Sequence, residues 1–309
     1  MKKTFIALMT LAAAVTACNK AEIIETNRQA ITFGEAFIDN ATKADYSSGK
    51  ALEKFNVWGA VTGNQNTVNL YSGAEVTGKI GDQTWTCNQT EYWIPSASYT
   101  FTALADATNV INMPAKVGYS ISNKGDLLLA TAEATTDANG IPTGTSIDDG
   151  VVKFTFRHLL SKVFFKFSYG VENNTRYEFN VKSISLSGLT ETSNYVFGTG
   201  WEIGTGTGTL TFGTTAANVT DQVSQNSTES HQILPLTQSL TATITYDVIY
   251  DDKVIMIDRT QSASATNVQF AENTVYCLNV SIPAPGQPIQ FSVNSIGGFT
   301  ETSPEVSLQ

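Results

Sequence analysis

Between Val151 and Phe167 the chain reads VVKFTFRHLLSKVFFKF, and this stretch limits what the rest can fold into. Val152, Phe154 and Phe156 alternate with Lys153, Thr155 and Arg157. Period two marks a strand with one face in a core and the other in water. Past His158 and Leu159 the apolar set resumes at Val163, Phe165 and Phe167, on odd numbers where the first set sits on even ones. One strand cannot hold both sets on one face, so a bulge or bend is expected near His158–Ser161. A helix through the middle is the competing reading. The β-branched and aromatic residues on both sides argue against it.

The rest of the chain supports strands. Hydrophobic residues make up 41% of the 309, enough to bury a core, while charged residues reach only 15%. Thr, Ser, Asn and Gly are abundant, and no apolar pattern with helical spacing runs beyond about three turns. The net charge of −10 argues against nucleic acid as a partner, because phosphate contacts need clustered Lys and Arg.

The first residues read as an export signal. Lys2 and Lys3 precede an apolar run, Phe5 to Ala14, too short to span a bilayer as a mature helix. Val15-Thr16-Ala17-Cys18 follows and resembles the lipobox of bacterial lipoproteins. That resemblance implies cleavage before Cys18 and acylation of Cys18. Residues 1–17 are then a signal peptide, and 18–29 a tether between lipid and fold. Two or more acyl chains anchor stably where one does not. A plain secretory signal with an incidental Cys is the alternative. Cys87 and Cys277 are expected as two separate buried thiols, since they fall in different halves of the chain.

In order, strands are expected at Ala30–Ile38, with Ile31, Phe33 and Phe37 on one side, and at Leu52–Val61. Tyr92-Trp93-Ile94 ends at Pro95, and Tyr99, Phe101 and Ala103 alternate beyond it. Asp126–Ala132 reads as a buried strand, with turns at Asp137–Gly140 and Asp148–Gly150. Asn173-Asn174 marks the expected junction between domains of residues 30–170 and 171–309. Beyond it come Tyr177–Leu189, a glycine-rich hairpin at 203–213, a short strand ended by Pro235, a hairpin over Ala242–Ile257 turning at Asp251-Asp252, and final strands at 274–282 and 289–296. The fold class is all-β, two sandwiches in tandem.

No catalytic constellation emerges. The chain holds two histidines, and neither HExxH, CxxC nor GxSxG. His158 is expected to be packed and hydrogen-bonded, and His231 to be solvated in a Ser/Asn-rich loop. Gly204, Gly206 and Gly208 lack the strand-to-helix context of a phosphate loop. Asp251-Asp252 and Asp148-Asp149 lack the spread of oxygens a calcium site needs. No catalytic residue, metal or cofactor is expected. A paired-carboxylate glycosidase is not favoured by any residue pattern.

Taken together, the segments resemble the fimbrillin (Mfa-like) family of pilus subunits and adhesins. The matching pieces, in order, are the lipobox to Cys18, ITFGEAF at 31–37, TKA at 42–44, EYWIPSASYTFTAL at 91–104, DLLLA at 126–130, FTFRHLLSKVFFKF at 154–167, VKSISLSGL at 181–189, ILPLTQ at 233–238, NTVYCLNVSI at 273–282 and IQFSVNSIGGF at 289–299. The resemblance implies two transthyretin-like, Greek-key sandwiches and a lipoprotein on the outer membrane, exposed at the surface. It further implies removal of the first strand, carrying Ile31, Phe33 and Phe37, by proteolysis, and polymerisation by strand exchange with other pilin subunits. A host or bacterial surface ligand is a further partner in that reading. The family's cut follows Arg; here Thr42-Lys43-Ala44 places Lys43 at that point. Arg28 is the alternative, but a cut there leaves the first strand attached. The segment with Ile289, Phe291 and Val293, followed by Val306 and Leu308, is a candidate donor strand or an ordinary strand of its own domain. The competing function is a monomeric surface lipoprotein that stacks glycans on Trp58, Trp85, Trp93 or Trp201.

Overall fold

The computed structural model describes residues 28–298, except 35, 39–51, 64–65, 80–81, 83, 106–115, 124, 171–175, 216 and 222. Cys18, Lys43, Asn173-Asn174, Val306 and Leu308 lie outside the described residues, as do the signal peptide and most of the tether. Among the described residues the only helical element is one 3-10 turn, Ile121–Asn123; the rest of the regular structure is strand, as the sequence pattern requires.

The parity switch has a larger cause than a bulge. Val152, Phe154 and Phe156 lie in one hydrophobic core. Leu159, Leu160, Val163, Phe165 and Phe167 lie in another. The strand Thr155–His158 ends, the chain crosses at Leu159-Leu160, and the strand Ser161–Tyr169 begins in a different sheet. The crossing is fastened on both sides. Leu159 N–H donates to the Leu127 carbonyl at 2.9 Å, and Asn273 N–H donates to the Leu160 carbonyl at 3.0 Å. The Trp201 indole N–H donates to the Leu159 carbonyl, also at 3.0 Å. Reversed parity here records a change of core.

Around the first core runs a sheet in the order Phe37–Ile38, Thr155–His158, Leu128–Thr136, Ser98–Ala105, Lys54–Gly63, Asn66–Thr77, Thr86–Cys87. A smaller sheet places Thr32–Phe33 beside Val151–Val152. Around the second core, Ser161–Tyr169 pairs in parallel with Thr274–Ile282, which pairs with Gln290–Gly298. The facing sheet is built on the long strand Tyr177–Val196, joined by Thr237–Tyr250 and then Lys253–Gln269. Parallel neighbours need a long connection, which is why pairing of 161–169 with 274–282 left no local signal. Lys116–Ser120, inside the expected first domain, pairs with Tyr177–Val196, and Val117 and Tyr119 join the second core.

Tyr177–Val196 survives its length through a bulge at Gly188, where φ is +84°. A Cβ there would stand 2.2 Å from the Ser239 carbonyl oxygen, so the position needs glycine twice over.

The hairpin turn at Asp251-Asp252 is as expected, both residues having positive φ. Its second arm runs on to Gln269. The Ser/Thr-rich continuation is held by hydroxyl pairs, Thr241 with Ser264 and Thr243 with Ser262, each at 2.8 Å. The expected glycine-rich hairpin is in part the strand Thr205–Phe212. Asn66–Thr77 was not legible as a strand, because two register shifts break its alternation.

Candidate functional site

The opening segment sits in a slot between two flanks of the first core. On one side, Thr32–Phe33 runs parallel to Val151–Val152, and Phe37–Ile38 runs parallel to Thr155–Phe156. Gly34 N–H donates to the Val152 carbonyl at 2.9 Å, and Phe37 N–H to the Phe154 carbonyl at 3.0 Å. On the other side, Ile31 N–H donates to the Glu91 carbonyl at 2.8 Å, and Trp85 N–H to the Phe33 carbonyl at 2.7 Å. Trp93 N–H donates to the Gln29 carbonyl at 3.0 Å. Both strand pieces are only two residues long, and Phe37–Ile38 ends its sheet.

Phe33 is wholly buried and is the centre of the site. Its ring meets Tyr71 at 5.5 Å, Phe101 at 6.1 Å and Phe55 at 6.3 Å, all edge-on, and Phe154 at 6.0 Å in a stack. Ile31 and Ala36 are also buried. Burying an aromatic or aliphatic side chain of this size stabilises by roughly 1.5–3 kcal/mol.

Phe37 departs from the expected alternation. It is half-buried, and Ile38 packs against the core instead. Phe33 pairs with Val152 and Phe37 with Thr155, so four residues on the opening segment match three on its neighbour. The extra residue reverses the faces. Arg28 is exposed.

The histidines divide. His158 is packed as expected, its Nδ1 2.5 Å from Asp126 Oδ2 with both side chains mostly buried. The neighbouring Arg157 reaches both Glu272 and, at 2.7 Å, the Tyr195 hydroxyl. The expectation of a solvated His231 is corrected: its residue is 7% exposed, because His231–Ile233 pairs with Ser161–Val163 and turns the ring inward. The ring packs edge-on against Phe212, and its Nε2 lies 3.0 Å from the Thr211 carbonyl.

Cys87 and Cys277 are free thiols; Cys277 is buried and Cys87 half-buried. Among the described residues no three His, Cys, Asp or Glu side chains gather as metal ligands, and no helix is long and apolar enough to cross a membrane. Of the four tryptophans, Trp85 and Trp93 are buried in the first core and present no face to a ligand. Trp58 and Trp201 are half-buried.

A family model described as fimbrillin-like matches residues 42–296. No curated protein matches the chain. A fimbrial protein from Bacteroides vulgatus has a similar solved structure, at 16% identity and a TM-score of 0.54, with 86% of this chain and 99% of that one covered. A candidate cell adhesion protein from Bacteroides uniformis aligns at 15% identity and a TM-score of 0.55, covering 87% and 97%. One from Bacteroides ovatus aligns at 12% and 0.55, covering 89% and 99%. At these identities the solved structures establish shared fold.

Proposed function

The chain belongs to the fimbrillin-like family, and from that premise we propose that it is a structural subunit or adhesin of a surface fimbria that polymerises by strand exchange. The observation that carries the reading is the seat of the opening segment. Two short strand pieces hold a wholly buried Phe33 between separate flanks of backbone partners. A cut after Lys43 would free the segment from the body of the fold. Its departure would bare a slot walled by Phe55, Tyr71, Phe101 and Phe154. It would also strand the carbonyls of Glu91 and Val152 and the N–H of Trp85. Unpaired strand edges beside an apolar slot favour an incoming strand.

The donor in this reading is Gln290–Gly298 of a neighbouring copy. Within one chain that strand pairs with Thr274–Ile282 and its Phe291 and Val293 pack on the second core, so it would leave that seat to place the same two residues, at two-residue spacing, in a neighbour's slot. Cys18 carries the lipid that holds the precursor to the outer membrane, and the role is structural, not catalytic.

Limited digestion of the full chain with a lysine-specific protease tests the reading. Unboiled gels should show oligomer ladders and negative-stain micrographs should show fibres, while a Lys43→Ala variant gives neither. A trimmed protein that stays monomeric, or unfolds once residues 30–38 leave, overturns it.

A further inference from the structure

On the first sheet, with Tyr71 common to it and to the slot, lies a hollow of about 170 Å³. Gly59 and Ala60, with little or no side chain, lie in it. Trp58 forms one wall, Asn69 and Ser72 stand on the strand to one side, and Thr100 and Thr102 on the strand to the other. We propose that this hollow binds one ring of a neutral saccharide, with an apolar sugar face on Trp58 and the hydroxyls on the surrounding amide and hydroxyl groups.

The geometry is built in. Register shifts at Val57/Trp58 and at Gly59/Ala60 insert extra residues into Asn66–Thr77, and this brings Ser72 opposite Trp58 and Asn69 opposite Ala60. Gly73, at the first shift, has φ of +86° and lies flush against the indole: a Cβ there would stand 3.1 Å from Trp58 Cζ2. The Asn56 side-chain amide donates to the Gly73 carbonyl at 3.1 Å and holds that bulge. The indole lies against Gly73 and packs on the second core, so it is held before any ligand arrives, which lowers the ordering cost of binding. Among the described residues, the side chains of Asn69, Ser72, Thr100 and Thr102 are not engaged in hydrogen bonds with one another or with neighbours. Their donors and acceptors are available.

Size and charge choose the ligand. The hollow is several times the ~30 Å³ share of a water molecule and smaller than the ~300 Å³ at which drug-sized pockets begin. No charged side chain lines it. Glu133 stands directly opposite Thr100 at the rim, and the chain as a whole carries −10, so acidic sugars are disfavoured. Aromatic stacking with a few neutral hydrogen bonds suits a pyranose better than a peptide or a lipid chain. None of the site's residues belongs to the opening segment or to Gln290–Gly298, although Tyr71 borders both the hollow and the slot.

The test titrates the full chain with methyl β-galactoside, methyl α-mannoside, methyl β-glucoside and N-acetylglucosamine, with glucuronic acid and N-acetylneuraminic acid as acidic probes. Indole fluorescence and saturation-transfer NMR read the binding. At least one neutral sugar should bind saturably, with a Kd of millimolar order, and the acidic ones should not. Ala60→Leu, which fills the hollow at a half-exposed position, should weaken that binding at least roughly tenfold with thermal unfolding unchanged. The paired exposed change Asn69→Ala with Ser72→Ala should weaken it by a smaller factor, and serves if the leucine variant fails to fold. Saturable binding of no neutral sugar, binding of the acidic ones only, or binding that both variants leave intact overturns the proposal.

Discussion

Phe33 stacks on Phe154 with their rings 15° from parallel and their centroids 6.0 Å apart. The contact joins the opening segment to the stretch where the chain changes core. It makes Phe33 the residue on which the segment's attachment turns. Phe33→Ala is expected to destabilise by about 3–5 kcal/mol in urea unfolding. Phe37→Ala, at a half-buried position, should cost no more than about 1 kcal/mol. Equal costs at the two sites would contradict the observed reversal of faces.

Gly188 and Gly198 share a positive φ, +84° and +77°, but differ in surroundings. An added Cβ meets the Ser239 carbonyl oxygen at 2.2 Å at Gly188 and nothing within 4 Å at Gly198. Gly198→Ala should cost about 1 kcal/mol from backbone strain alone. Gly188→Ala should cost clearly more, because main chain must shift as well. Thermal melts of the two variants separate strain from collision.

Acid should weaken the second sheet through Asp247. Lys182 Nζ lies 2.8 Å from its Oδ1, and Asp258 N–H donates to the same oxygen at 2.9 Å. Both contacts hold its carboxyl below the ordinary carboxylate range, Lys182 the more strongly. A depressed native value contributes stability above the ordinary pKa of about 3.9. That contribution fades as pH falls from there through the native value, since the unfolded chain takes up the proton first. Asp247→Asn should therefore be less stable than wild type near neutrality and show a shallower loss below about pH 4. Parallel acid titrations of unfolding in the two proteins check this.

Burial raises the pKa of both Cys87 and Cys277. Each thiol is therefore a weak nucleophile near neutral pH. Cys277 is 6% exposed and Cys87 half-buried. In timed alkylation followed by peptide mass mapping, Cys87 should be labelled first and Cys277 only on the timescale of unfolding. Adding a reductant should leave the melting temperature unchanged, as neither thiol is in a disulfide.

Much was legible in the residues because strand patterning is local. The alternation at Val152–Phe156 and Val163–Phe167 set two buried faces, and the Asp251-Asp252 turn set a hairpin, each from contacts within a few positions. Ile31 and Phe33 were readable as core for the same reason. Which core each face enters, the parallel pairing of 161–169 with 274–282, and the seating of 30–38 between two distant flanks depend on partners far along the chain. Nothing nearby encodes them. The fate of each tryptophan was settled the same way. All four have the same chemistry, but only packing buried Trp85 and Trp93 and left Trp58 beside a gap the size of one small ring. Local sequence set which residues avoid water, and tertiary contacts decided where they shelter, because burial is a property of the assembled surface and not of the residue.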